Sequence, residues 1–463
     1  MIRLTRRHFS ASLLATAATG FGRPTRAFSD AIPVLTARAG MARLAPPNYP
    51  ETAIWGFDGL VPGPILRLSQ GDRLQRRFRN DLEQASTIHW HGIRIANAMD
   101  GVPGMTQDAV APGGDFLYDF ALPDAGTYWY HPHNRSWEQM ARGLYGALIV
   151  EETSGAPEVA SDEVLLLDDW RLGDDAQIAG GFGDMHDWAH AGRLGNWITV
   201  NADGAWSRQV ARNSRHRLRL INTANARVFS LEAQGIEGWV IALDGMPLEQ
   251  PQPLAQLILA PAQRADLLVD ITAQDGGEAF LISHERDGGY AIATFSVTGS
   301  ARADRLPEPH ALPPNAVPNM GDIAQARVAE LRMEGGAMGR MTGAIMDGRM
   351  MGMREMAGAG KVWAFNGMAD MPTTPLIEAA RGETIRITMT NDTAWPHAMH
   401  LHGHHFRRLA EDGTQGPLRD TLLLDRGELV EIAFVADNPG DWLLHCHMLE
   451  HSAGGMMTWL RVS

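Results

Sequence analysis

The sequence predicts an all-β protein of three successive antiparallel β-sandwiches or barrels, and three observations carry that expectation. Apolar residues alternate with period two in short runs, as at Ile385, Ile387 and Met389 and again at Val430, Ile432 and Phe434. Gly, Pro and Asp/Asn clusters punctuate the runs, as in Asp437-Asn438-Pro439-Gly440. Helical periodicity is scarce, and short alternating strands with frequent turns belong to sandwich and barrel architectures.

Taken in chain order, residues 1–28 read as a twin-arginine export signal. Thr5-Arg6-Arg7-His8-Phe9-Ser10 precedes a weakly apolar stretch from Ala11 to Phe21, and small residues surround Ala27. The implied destination is the periplasm, reached through the twin-arginine export machinery. Three β-domains follow at 30–152, 158–300 and 320–463, the last two joined by a proline-rich linker at 301–319. No apolar run approaches the ~20 residues a membrane-spanning helix needs. The formal charge of −14 becomes still more negative once five arginines of the leader are removed, which excludes nucleic-acid binding through the net field. A monomer is expected. Cys446 is the sole cysteine, so no intrachain disulfide forms.

The chain repeats itself. Gly71-Asp72-Arg73-Leu74 leads through Asn80-Asp81 to His89-Trp90-His91-Gly92, and Gly382-Glu383-Thr384-Ile385 leads through Asn391-Asp392 to His400-Leu401-His402-Gly403. Gly126-Thr127-Tyr128-Trp129-Tyr130-His131-Pro132-His133 parallels Gly440-Asp441-Trp442-Leu443-Leu444-His445-Cys446-His447. A divergent third copy, Arg215 to Asn222, keeps the strand-then-Asn shape and lacks the paired histidines.

Of 18 histidines, ten fall in four clusters: His89/His91, His131/His133, His397/His400/His402 and His445/His447/His451. An isolated histidine is more often packing or surface, but four clusters at matching places in two repeats are not scattered. On a strand, residues i and i+2 share a face, so each His-x-His pair presents two imidazoles side by side. Imidazole alone suits zinc, copper, iron and nickel. His397, Cys446, His451 and Met456 decide among them, because two imidazoles, one thiolate and a weak axial thioether make a blue copper site. A structural zinc site would more often use several cysteines.

His-x-His-Gly, His-x-His, His-x-x-His-x-His and His-Cys-His-x-x-x-His-x-x-x-x-Met together resemble the four copper motifs of the three-domain bacterial multicopper oxidases, the copper-efflux oxidase and bacterial laccase group. Asp58-Gly59-Leu60-Val61-Pro62-Gly63-Pro64, Leu259-Ala260-Pro261-Ala262-Gln263-Arg264 and Phe365-Asn366-Gly367 resemble its framework segments. The resemblance implies three cupredoxin-like Greek-key domains and four copper ions per chain. By it, His397, Cys446, His451 and Met456 hold the type 1 copper, and His89 and His400 the type 2. His91, His131 and His447 hold one type 3 copper, and His133, His402 and His445 the other. Pro132 stands where the third domain has Cys446, so only one blue site is expected. Cys446, flanked by His445 and His447, would pass electrons to the cluster, where dioxygen becomes water. Asp100 matches a family acid concerned with protons, against the plainer reading of a turn residue in Met99-Asp100-Gly101. Copper-efflux members often carry an acid directly after the last type 1 histidine; here Ser452 stands there, with Glu450 nearby. His404 and His405 read as packing or surface residues.

Three readings of the electron donor stay open. Eight of 23 methionines lie between Met333 and Met356. Methionine is an adaptable core filler, but glycines weaken a helix here, and soft thioethers select Cu(I). The segment resembles the Met-rich insert of periplasmic copper-efflux oxidases, which implies a cuprous oxidase. Met338, Met341, Met346, Asp347, Met350, Met351, Met353 and Asp392 are then candidates for holding substrate copper. Laccase-like oxidation of phenols and aromatic amines is the alternative. A nitrite reductase would not carry the eight-histidine set, a scaffold would have lost ligands, and a passive copper store would need no His-Cys-His bridge.

Overall fold

The computed structural model describes residues 32–463, so the export-signal reading lies outside the described residues. The fold is three cupredoxin-like units, each with two main facing sheets. In the first, Val34–Ala42 and Arg73–Asn80 lie at the centre of a four-stranded sheet. The sheet facing it runs in the order Leu66–Ser69, Gly146–Glu151, Gly126–His131, His89–His91. The second pairs a six-stranded sheet around Arg215–Asn222 with a five-stranded one around Glu278–Glu285. The third pairs a six-stranded sheet around Glu383–Asn391 with a five-stranded sheet in which Gly440–Cys446 lies between His397–Leu401 and Met457–Val462.

The sequence repeat is a repeat of pairing. The first strand of each unit runs parallel to its strand-then-Asn segment, with Val34 opposite Arg77, Ser161 opposite His216 and Arg327 opposite Ile385. Each segment ends in a fully buried asparagine that closes an Asx turn. Asn80 Oδ1 accepts from Leu82 N at 3.1 Å, Asn222 Oδ1 from Ala224 N at 3.0 Å and Asn391 Oδ1 from Thr393 N at 3.1 Å. Asparagine suits this place because its side chain mimics a backbone turn while its amide satisfies nearby carbonyls.

Period-two alternation sends Ile385, Ile387 and Met389, with Val430, Ile432 and Phe434, into one core that also holds Cys446 and Met456. The chain from 305 to 322 has no regular structure, yet it is held to the first unit, because the Asn315 side chain bonds both N and O of Ala125 at 3.0 and 2.8 Å. Among the described residues no helix is long and apolar enough to cross a membrane.

Between 335 and 358 the methionine-rich segment folds as a hairpin, Gly343–Met346 with Arg349–Gly352, followed by a short helix, Met353–Gly358. The two-residue turn is Asp347-Gly348, both with positive φ, as a type I′ hairpin requires. Met356 is fully buried, whereas Met338 and Met350 are 75% and 67% exposed.

Candidate metal centre

The alternation that fills the cores also builds the site. In His89–His91, Trp90 joins the first core while its neighbours turn to the opposite face. His89 lies opposite His131 in the ladder, as His400 lies opposite His445. Met399 lies opposite Cys446, so the thiol points to one face of its strand and His445 and His447 to the other.

Four groups of histidine and thiol ligand atoms result, buried but for the half-buried His133: His89 with His91 and His400, His91 with His131 and His447, His133 with His402 and His445, and His397 with Cys446 and His451; a fifth group joins His89, Asp100 and His402. All ten clustered histidines and Cys446 are brought together. Met456 is buried in the Cys446 core, and its carbonyl accepts from Cys446 N at 3.2 Å.

Outer partners fix which nitrogen is free on His89, His400, His402 and His445. A carbonyl or carboxylate oxygen only accepts, so a ring nitrogen bonded to one must carry the proton. His89 Nδ1 donates to the Asp100 carbonyl at 2.8 Å and His400 Nδ1 to the Asp420 carbonyl at 2.9 Å. Their Nε2 atoms are buried without a hydrogen-bond partner among the described residues. His402 Nδ1 donates to Asp100 Oδ2 at 2.9 Å, and His445 Nδ1 donates to the Cys446 carbonyl at 2.9 Å. Their Nε2 lone pairs therefore face each other at 3.1 Å.

Two lone pairs at that distance repel unless a cation lies between them. Protonation does not relieve them. Burial, then neighbouring histidines, holds His402 and His445 well below the usual imidazole range, and the same causes take His133 to about 3. Nitrogens about 2.0 Å from one ion at a tetrahedral angle lie about 3.3 Å apart. The spacings of 3.1 Å here and 3.4 Å from His131 Nε2 to both His91 Nδ1 and His447 Nε2 fit that value.

The thiolate group follows the same logic. His451 Nε2 donates to the His190 carbonyl at 2.7 Å, and His397 Nε2 bonds the Thr393 hydroxyl at 2.8 Å. The two Nδ1 atoms are 3.0 Å apart, and Cys446 Sγ is 3.6 and 3.8 Å from them. Burial pushes the Cys446 thiol up to about 12, so a thiolate exists here only with a cation beside it. The donor set fits copper: imidazoles for three groups, and imidazole with thiolate for the fourth.

Asp100 lies behind two rings, with Oδ1 3.2 Å from His89 Nδ1 and Oδ2 on His402. The following Gly101 is needed for the turn, because at φ +82° a Cβ would meet the Ile88 carbonyl at 1.9 Å. Ser452 Oγ is 3.3 Å from His445 Nδ1, while Glu450 accepts from Asn225 at 2.9 Å and burial raises its carboxyl. A cleft of about 630 Å³, lined in part by Met105, His133 and Leu443, reaches the cluster from outside. His404 and His405 are both buried.

The structure does not gather every candidate. Asp392 is ion-paired with Arg332, and Asp347 sits in the hairpin turn. Met341, Met351 and Met353 pack against Ala344, Met356, Ala364 and Ala369.

Sequence reasoning missed Asp420 and the part played by Arg264. Asp420 is fully buried and takes two bonds from the Arg264 guanidinium, at 2.9 and 2.6 Å. Its Oδ1 lies 3.3 Å from His91 Nε2 and 3.5 Å from His400 Nδ1. The middle unit, which holds none of the histidine groups, thus supports two of them through one arginine. Gly92 leaves room for the pair: a Cβ there would meet Arg264 Nη2 at 2.1 Å and Asp420 Oδ2 at 2.5 Å. The histidine repeat gave no signal for this pair.

Comparison with known proteins agrees with the geometry. Family profiles described as multicopper oxidase match residues 38–155, 162–300 and 346–463. The crystal structure of Lac15, from a marine microbial metagenome, is 42% identical with a TM-score of 0.76, covering 93% of this chain and all of that one. Multicopper oxidase MmcO of Mycobacterium tuberculosis is 28% identical over 87% of this chain and 82% of its own length. Copper resistance protein A of Pseudomonas syringae pv. tomato is 26% identical over 88% and 89%. The chain belongs to the multicopper oxidase family.

Proposed function

We propose that this multicopper oxidase takes electrons one at a time from Cu(I) in the periplasm, with dioxygen as final acceptor. His397, Cys446, His451 and Met456 would hold one copper and His89 with His400 a second. His91, His131 and His447 would hold a third, and His133, His402 and His445 a fourth. Copper bound there would supply one-electron acceptance at the thiolate site and four-electron reduction of dioxygen to water at the histidine cluster.

The observation that carries the redox reading is the strand Gly440–Cys446 with the residue after it. Alternation turns Cys446 to one group of donors and its covalent neighbours His445 and His447 to two others. An electron reaching the Cys446 sulfur therefore has a short bonded path to imidazoles of the cluster. Asp100 orients His402 and His89 and stands where a proton is needed, and the cleft at His133 leaves room for dioxygen and water.

For the donor, Met338 and Met350 support Cu(I), because exposed thioethers have little reason to be methionine if packing alone selected them. The relative named for copper resistance is in keeping with this reading. Phenol oxidation is the second reading, and a relative named Laccase-1, of Botryotinia fuckeliana, 28% identical over 86% of this chain, is in keeping with it.

Deleting the whole insert would be a poor test, because Gly336 packs on the Trp363 ring and Met356 fills a core. The cleaner variant replaces Met338, Met346 and Met350 with leucine. The ratio of Cu(I) turnover to phenol turnover should fall by about tenfold or more, a change of about 1.4 kcal/mol in relative barrier. An unchanged ratio would remove the argument from the methionines.

A further inference from the structure

A small cavity of about 230 Å³ lies where the connecting chain at 317–320 crosses the third unit. Arg94 of the first unit closes one side, Met320 of the connecting chain lies over it, and His405, Arg407, Leu418 and Phe434 of the third unit make the rest. The covering chain is fixed at both ends. Arg94 Nη2 donates to the Ala316 carbonyl at 2.7 Å, and Thr384 Oγ1 donates to the Met320 carbonyl at 2.6 Å. The volume is below the ~300–1,000 Å³ of sites for drug-sized molecules, so an occupant is smaller than those.

The two guanidiniums of the wall differ in what they have left to give. Arg94 is spent: two bonds at 2.8 Å go to Asp124 and one at 3.2 Å goes to Asp437. Asp437, the acid of the wall, is taken up in that pairing. Arg407 donates from Nη1 to the Gly416 carbonyl at 2.8 Å, and no acceptor among the described residues meets its Nε. Glu249 stands 3.7 Å from Arg407 Nη2, but its side chain is 86% exposed, and an ion pair so solvated is worth little. Arg407 itself is only 21% exposed, so a full charge with unused donors sits in a partly desolvated place. His405 Nε2 donates to the Asp244 carbonyl at 3.2 Å, and its Nδ1 is buried with no partner among the described residues. The remaining wall is largely apolar, from Val317, Met320, Leu418 and Phe434.

We propose that this cavity binds a small monocarboxylate with an apolar body, its carboxylate on Arg407 and its body against Met320, Leu418 and Phe434. The planar guanidinium fork matches a carboxylate through parallel N–H bonds. The apolar wall favours a body that an inorganic anion lacks. A dianion is disfavoured, because Arg94 is already neutralised and Asp437 lies in the wall. Arg407 belongs to none of the copper donor groups. His405 of the wall has Nε2 3.7 Å from Asp420 Oδ2, so on this side two side chains separate the occupant from His91 and His400. The bound carboxylate ties the connecting chain to the third unit and takes no part in electron transfer.

The test is calorimetric titration of the copper-loaded protein with benzoate, and with chloride as an inorganic anion of the same charge. Wild-type protein should bind one equivalent of benzoate with a Kd of about 1 mM or tighter. It should also unfold at a higher temperature with benzoate present, with the visible spectrum unchanged. Arg407→Gln should weaken binding by about tenfold or more, as expected for lost charge-assisted bonds. Gln415 is exposed at the mouth, so Gln415→Glu is secure against misfolding and should also weaken binding, by placing a negative charge there. No saturable binding to wild-type protein at about ten times the expected Kd would overturn the proposal, as would unchanged affinity in either variant. Chloride binding as tightly as benzoate would overturn it too, and so would a visible spectrum that changes on binding, since the carboxylate would then sit on copper.

Discussion

Replacing Asp420 with asparagine removes one charge from the centre of the molecule while keeping the shape. The carboxylate is fully buried, takes two bonds from Arg264, and touches His91 and His400. In Asp420→Asn the guanidinium loses its bidentate carboxylate and keeps Asp244, 3.8 Å away, as its remaining acid, with the Thr127 and Ala262 carbonyls each at 3.2 Å. Breaking a buried pair from one side costs about 3–5 kcal/mol, and the remaining acid puts the expected loss at the lower end, about 3 kcal/mol. The histidines lose an outer support, which typically costs 10–100-fold in metal affinity, so copper held by His89 and His400 should weaken by about that factor.

Competition with a chelator, followed by the electron paramagnetic resonance signal of the remaining copper, reads this directly. Equilibrium unfolding of the metal-free protein reads the stability change separately. The pH dependence has a definite sign. Burial alone would raise the Asp420 carboxyl, but Arg264 and then His91 outweigh it and hold it well below the usual carboxylate range. Its contribution is therefore fully present above the ordinary pKa and fades only as pH falls through the depressed folded value. Wild-type copper retention and unchanged metal-free stability in Asp420→Asn would refute the idea that this pair holds the two rings in place.

Other outcomes follow from the same contacts. Gly92→Ala should lose copper and stability together, since its Cβ falls on both members of the pair and φ is +86°; normal copper content in that variant would contradict the packing. Asp100→Asn should slow reoxidation of the reduced enzyme by dioxygen while leaving the visible colour, because it touches His402 and His89 and not the thiolate group. Stopped-flow absorbance separates the two. Cys446→Ser should abolish colour and turnover while copper at the histidine cluster stays largely bound, which metal analysis and magnetic resonance would detect.

Much of this architecture was legible in the sequence because it rests on local periodicity. The His-x-His and His-Cys-His runs state their own geometry once they lie on strands, and the buried asparagines close turns their neighbours already suggest. What was not legible depends on residues far apart in sequence. Arg264 lay within a framework segment, yet nothing in its spacing pointed 156 residues on to Asp420. His190 looked like an ordinary histidine, because its link to His451 is made by a backbone carbonyl that any residue would supply. The methionine hairpin was readable in principle from Asp347-Gly348, the strongest short-range hairpin signal in that segment.

The central claim is that one strand joins a thiolate copper to an oxygen-reducing cluster. The most direct measurement is the visible spectrum and oxygen uptake of the copper-loaded protein, with metal content determined on the same sample. The expected result is a blue protein with about four coppers per chain, as the donor groups imply, that consumes dioxygen when given Cu(I) or a phenol. A colourless protein with full copper occupancy would contradict it.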